Sequence, residues 1–270
     1  LYKDYGVSLL ISGYTDLNLF EPEYYGYNLG ASNYYLDQDI KSLVENRQSA
    51  ATMCDYIKSV IRESGVNSDE AERRAKDVVN LVLVIARGTD LEALEAFFPM
   101  EYMKTVSFDE IKGIFTNIDI EGYLKNSGAK VMPKDILTMD MGQLEALNSV
   151  FIEENLQALK DYALATFIMA YGAYLPDSFV NVREHYFSEA SYDREKDARD
   201  FVKRTLSNDI GYLYADTYMT DEIYEGVSKL CEDLRTSYYD LIRGTDIFSQ
   251  SKKDLLCQQL DNFRLMIGVP

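Results

Sequence analysis

The segment DEIYEGVSKLCEDLRTSYYDLIR, Asp221 to Arg243, sets the fold class. Its apolar positions Ile223, Val227, Leu230, Cys231, Leu234, Tyr238 and Leu241 recur mainly at gaps of three and four, which places them on one face of a helix. Just upstream, Phe201, Val202, Leu206, Ile210, Leu213, Tyr214 and Thr217 form a second stripe of the same period. Only about Met219 to Asp221 separates the two, so the expectation is an antiparallel helix hairpin in which each stripe buries the other.

Helical periodicity continues through almost everything after residue 40. Thr89 with Glu92 and Ser107 with Glu110 fit the capping box, where a hydroxyl and a carboxylate satisfy free backbone N–H groups; Asp140 with Gln143 is a weaker version. Gly65, Gly88 and Gly128 read as stops, and the ring of Pro176 cannot continue the helix before it. The spacing predicts helices over 38–64, 69–87, 90–98, 108–114, 119–126, 141–150, 153–174, 177–187, 193–217, 221–243 and 250–267. Residues 1–36 differ, with eight of the 22 tyrosines and several glycines, and read as an irregular or extended segment laid over the helical body at 37–270. Short strands are expected at Val7–Ile11 and near Lys130–Met132. No repeat or low-complexity linker interrupts the chain, so residues 1–270 are read as a single domain. The fold class is mainly α: a multi-helix domain with long antiparallel hairpins.

A chain of 270 residues can bury about 75% of its unfolded surface without staples. Its net charge of −18 works against a nucleic-acid partner, because phosphate binding relies on Lys and Arg displacing counterions. No apolar run approaches the roughly 20 residues of a membrane span. Cys54, Cys231 and Cys257 are odd in number and set in helical sequence, which reads as small buried thiols rather than a disulfide framework. There is no Asn-x-Ser/Thr acceptor, and the opening Leu1-Tyr2-Lys3-Asp4 is the start expected of a processed or excised piece.

Catalytic chemistry finds few candidates. A catalytic zinc needs three protein ligands, and the sequence has one histidine, His185. The order Asn181-Val182-Arg183-Glu184-His185 would be an inverted zinc motif with His at 181, but Asn stands there, and a surface or capping role is the better reading of His185. Glu153-Glu154, Asp69-Glu70 and Asp221-Glu222 are adjacent acids of the kind used in acid–base catalysis, yet each opens a predicted helix, where the dipole stabilises a carboxylate. No Gly-x-Ser-x-Gly and no phosphate-binding glycine loop occurs. The pairs Tyr24-Tyr25, Tyr34-Tyr35 and Tyr238-Tyr239 either line a peptide-binding surface or stand in as large core and rim residues in a chain without tryptophan.

The order Arg194, Val202, Gly211, Leu213-Tyr214, Ile247-Phe248, Leu260 and Ile267-Gly268-Val269-Pro270 resembles the end of the amino-terminal helical domain of the M13 (neprilysin-like) zinc metallopeptidases. Upstream, Asp16-Leu17-Asn18, Asn33-Tyr34-Tyr35-Leu36, Leu147-Asn148, Leu156, Leu159-Lys160, Tyr162, Leu175 and Phe179 follow in the family's order, so the resemblance covers nearly the whole chain. Glu195 stands where the family has Trp, Ala198 where it has Cys, and the Ala-x-x-Lys-Leu of the last helix appears as Leu256-Cys257-Gln258-Gln259-Leu260.

The resemblance implies a non-catalytic cap that encloses the active-site chamber of a zinc metalloendopeptidase and limits substrates to short peptides. Its partners would be its own C-terminal catalytic domain and those peptides. Zinc is expected in that C-terminal domain and none in this chain, which assigns no catalytic, cofactor or metal residue and should be inactive alone. The scarcity of cysteines and glycan acceptors fits a bacterial branch, in the cytoplasm or in an extracellular or cell-envelope location. The competing expectation is a stand-alone acidic helical binding or scaffold domain with no peptidase activity.

Overall fold

The computed structural model describes residues 5–21, 23–32, 34–96, 99–187 and 193–268. The chain divides into two compact units, Leu1–Ser191 and Tyr192–Pro270. Parts of the readings above fall outside the described residues: Leu1 to Asp4, Asn33, the end of the helix expected over 90–98, and the closing Val269-Pro270.

The first unit is built on a long antiparallel hairpin, α2 (Arg47–Glu63) and α3 (Ser68–Arg87). Between them Gly65 takes a left-handed φ of +92°, which a side chain would strain, and Asn67 Oδ1 caps α3 by accepting the Glu70 N–H at 3.0 Å. The apolar face of α2 (Tyr56, Ile57, Val60, Ile61) meets Ala71, Ala75, Val78, Val82 and Ile85 of α3 in one buried cluster. Ala71 and Ala75 at the start of α3 suit a close helix contact. Against this hairpin pack α7 (Met141–Val150) and α8 (Leu156–Tyr171), which add Leu144, Leu147, Tyr162, Ala165 and Ile168 to the core. Shorter helices complete the unit: α1 (Ile40–Glu45), α4 (Leu91–Glu95), α5 (Phe108–Ile114), α6 (Ile120–Asn126) and α9 (Asp177–Phe187).

Within the first unit, several helix ends depart from expectation for local reasons. The helix predicted over 38–64 breaks at Asn46, which is extended and turns its Oδ1 onto the Gln48 N–H at 2.9 Å to start α2 afresh. The capping box assigned to Thr89 belongs to its neighbour: Asp90 Oδ1 accepts from Glu92 and Ala93, while the Thr89 hydroxyl donates back to Ile85 O. The segment 153–174 has the single-turn 3₁₀ pieces Glu153–Asn155 and Gly172–Tyr174 at the two ends of α8.

The sequence points only to isolated short strands, whereas the structure joins four strands in one sheet. β1 (Ile11–Leu17) pairs antiparallel with β2 (Tyr25–Ala31), β2 runs parallel to β6 (Asp135–Thr138), and β6 is antiparallel to β5 (Lys104–Ser107). The strand expected at Val7–Ile11 begins only at Ile11, and the one expected near Lys130–Met132 lies later, at Asp135–Thr138. Leu29, Ala31, Val106 and Ile136 join the helical core, and Tyr14 on the opposite face stays exposed. β3 (Tyr34–Tyr35) and β4 (Gln38–Asp39) form a small hairpin whose two turn residues, Leu36 and Asp37, both have positive φ, +48° and +66°.

The second unit holds α10 (Arg194–Thr205), α11 (Ser207–Tyr218), α12 (Asp221–Gly244) and α13 (Gln250–Asp261). The helix expected over 193–217 is interrupted at Leu206 (φ −109°, ψ 33°), and the one expected over 250–267 stops at Asp261. α12 is tied to the chain around α13 by an Arg235 Nη2 bond to Phe263 O at 3.0 Å and a Lys253 Nζ bond to Arg243 O at 3.0 Å. The expected mutual burial of the two stripes does not occur. Leu213 is 69% exposed, Leu230 58% and Leu241 67%, so α11 and α12 leave their apolar faces open.

Candidate functional surface

His185 sits near the end of α9, exposed, its ring edge-on to Tyr186 at 4.7 Å. Asn181 one turn earlier is also exposed, and Glu184 is engaged by Arg183, which also donates Nε–H to Met169 O at 2.9 Å. Among the described residues no group of three or more His, Cys, Asp and Glu is arranged to hold a metal ion. The donor set therefore does not fit a catalytic zinc.

The paired acids lie where the sequence places them. Asp69 and Glu70 form the first turn of α3, and Glu70 is held below the usual carboxylate range by its hydrogen bonds to Arg73. Asp221 and Glu222 open α12 behind the Thr220 cap, and Glu153-Glu154 begin a 3₁₀ turn. All three cysteines are free and half-buried, and burial pushes the Cys54 thiol up, away from reactivity.

The tyrosine pairs divide. Tyr35 is fully buried and meets Tyr162 edge-on at 6.3 Å, whereas Tyr34 is exposed. Tyr239 bonds Asp261 and lies under the Arg243 guanidinium at 5.2 Å. Tyr24 and Tyr25, at the start of β2, are both exposed and border a cleft of about 590 Å³ between the β1–β2 loop and the segment 127–135. Glu21, Lys134 and Asp135 also line it. The loop is shaped by Asn18, whose Oδ1 accepts the N–H groups of Phe20 (2.9 Å) and Glu21 (3.3 Å) and so sets Glu21 at the rim. Sequence reasoning flagged Tyr24-Tyr25 but missed Glu21 and Asp135, which come together only through the β2–β6 pairing.

A smaller cavity of about 130 Å³ lies beside Gln143. That side chain is buried and spent on structure: Oε1 accepts from Ala31 N at 2.8 Å and Nε2 donates to Thr89 Oγ1 at 3.2 Å, linking β2 to the end of α3.

The largest uncommitted feature is apolar. Among the described residues of the second unit none is buried, and along α12 Ile223, Leu230, Leu234, Tyr238 and Leu241 form an exposed face. Single exposed apolar side chains are ordinary, but a contiguous row of this length marks an interaction surface.

Comparison with known proteins gives these surfaces a context. The sequence matches the profile of peptidase family M13 over residues 1–270. The fold is similar to that of the Mycobacterium tuberculosis zinc metalloprotease Zmp1, in its open state (TM-score 0.75, 17% identity, 96% of this chain and 41% of that one). It is similar too in the inhibitor complex of that protein (TM-score 0.77, 17% identity, 95% and 40%). PepO from Lactobacillus rhamnosis matches with TM-score 0.75 and 17% identity over 95% of this chain and 42% of its own. The chain thus spans about two-fifths of the length of these structures.

Proposed function

The chain belongs to peptidase family M13, and from that membership we propose that it is the non-catalytic cap of a zinc metallopeptidase, enclosing the chamber in which peptides are cleaved. The observation that carries this reading is the open apolar face of α12 in a chain that spans only about 41% of a structural relative. Covering the outstanding half of these five side chains, Ile223, Leu230, Leu234, Tyr238 and Leu241, is worth roughly 5 kcal/mol, on the scale of about 1.5–3 kcal/mol for each full burial. The catalytic portion is the natural cover. Because the family match runs through both compact units, residues 1–270 are read as one functional cap.

The cap would act by exclusion. A chamber closed by rigid helices admits short, flexible peptides and keeps folded proteins from the zinc, so substrates are selected by size before any side chain is read. On this reading zinc would be held by the catalytic portion; among the described residues no group of His, Cys, Asp and Glu fits it.

The test compares the full-length protein with the 270-residue chain. Full-length protein should cleave a short unstructured peptide in a chelator-sensitive way and leave a folded protein containing the same sequence intact. The 270-residue chain should cleave neither. Chelator-sensitive cleavage by the chain alone, or equal cleavage of folded and unfolded substrates by the whole protein, overturns the proposal.

A further inference from the structure

We propose that the cleft bordered by Glu21, Tyr24, Tyr25 and Asp135 is a subsite for a cationic group of a peptide, specifically an arginine or lysine side chain. The proposal rests on the cap reading, for which it names a substrate class. Three observations converge on it.

First, the sequence from Asp4 to Ile40 contains six acids (Asp4, Asp16, Glu21, Glu23, Asp37, Asp39) and no Lys or Arg, in a chain of net charge −18. The stretch therefore carries no basic residue of its own to neutralise Glu21. Second, the cleft brings together carboxylates from distant parts of the sequence, Glu21 from the β1–β2 loop and Asp135 from the start of β6. No ion pair occupies either carboxylate among the described residues. Lys134 is the one basic residue among those lining the cleft, leaving two carboxylates against one ammonium. Third, the exposed rings of Tyr24 and Tyr25 stand at the same cleft, and an aromatic face attracts a cation lying over it.

A neutral apolar occupant would desolvate the two carboxylates without compensation, and an anionic one would be repelled. A guanidinium or ammonium is the complementary occupant, since it can pair with a carboxylate of the cleft and lie against an aromatic face. At about 590 Å³ the cleft has room for such a side chain with its aliphatic stem. A free peptide N-terminus carries the same charge and is the other source to separate.

The experiment is calorimetric titration of the 270-residue chain with N-acetylated, C-amidated peptides that differ at one position: arginine, citrulline or norleucine. A fourth peptide has norleucine and a free amino terminus. The arginine peptide should bind about tenfold more tightly than the citrulline peptide at low ionic strength, with the gap narrowing as salt is raised. Glu21→Gln with Asp135→Asn should weaken the arginine peptide about three- to tenfold and leave the citrulline peptide unchanged. Lys134→Gln should strengthen it. These side chains are on the surface, and unchanged circular dichroism verifies the fold of each variant.

Equal affinities for arginine and citrulline, no binding of any peptide, or no effect of the double variant overturns the proposal. Tightest binding by the free-amine norleucine peptide also overturns it, in favour of a subsite for the peptide terminus. Hydrolysis is measured separately on the full-length protein, so loss of cleavage with retained arginine selectivity counts against the cap reading alone.

Discussion

Asp161 is buried on α8 and receives Arg74 of α3 through two hydrogen bonds, one from Nε at 2.9 Å, while Gln157 Nε2 donates to its Oδ1 at 3.0 Å. The carboxylate raises the arginine pKa further, so this is a charged pair spanning two core helices. Removing one partner strands the other away from water. Asp161→Ala should therefore cost about 3–5 kcal/mol in urea unfolding, whereas replacing both with Leu and Met should be close to neutral. Glu72 is the exposed counterpart. Lys58 and Lys76 bond its two oxygens at 2.8 and 2.7 Å and pull its carboxyl down from 4.5 to about 2. A folded pKa depressed in this way contributes stability that is complete above the ordinary glutamate range and lost as pH falls toward about 2. The stability difference between the wild type and Glu72→Gln, measured by urea unfolding at stepped pH, should stay constant above about pH 5 and vanish at acid pH; high salt should shrink it throughout. Neither contact was legible beforehand. Arg74 and Asp161 are 87 positions apart, and sequence periodicity reports which face a residue occupies but not which charge it meets across the core.

Helices were the legible elements. Those at 108–114, 141–150 and 177–187 have the bounds that their caps and apolar spacing predict, because Ser107 and Asp140 do accept the N–H groups of Glu110 and Gln143. The misses share a cause. Where a polar side chain competes for backbone groups inside an otherwise helical pattern, as Asn46 does, the period continues while the helix does not. The sheet was hidden because its partners are short or distant: β6 has four residues and pairs with β2 more than a hundred positions earlier. The β3–β4 turn was hidden for a different reason. Two-residue hairpins with both φ values positive normally announce themselves with Asn-Gly, yet here Leu36 and Asp37 fill the turn. Asp37 at +66° bears a cost that glycine would not. Asp37→Gly should leave the hairpin register unchanged and shift stability upward by about 0.5–1 kcal/mol, net of the entropy added to the unfolded chain. A decrease in the urea midpoint would show that the aspartate side chain stabilises the turn by more than its strain costs.

At the scale of the whole molecule, the sequence made the α12 stripe plain but assigned it the wrong cover. An amphipathic period states that a face is to be buried and is silent on what buries it, so the nearest stripe, on α11, was the natural choice. The exposed Leu213 and Leu241 rule that pairing out, and the family's greater length supplies another candidate. The candidate subsite was half visible in the same sense: paired tyrosines and a run of acids can be read from residues 1–40, but their meeting with Asp135 depends on strand order. The α12 face yields a prediction with opposite signs in two contexts. Leu230→Glu with Leu234→Glu places charges on surface that is already solvated in the 270-residue chain, so its urea midpoint should change by no more than about 0.5 kcal/mol, and its self-association in sedimentation velocity should fall. If the chain is the proposed cap and α12 is its seat, the same pair in the full-length protein would bury two carboxylates against apolar surface, costing several kcal/mol at the interface and loosening the cap. Limited proteolysis should then separate the two portions, and folded proteins excluded by the wild type should become substrates. If the variant is as protease-resistant and as size-selective as the wild type, α12 is not where the catalytic portion rests.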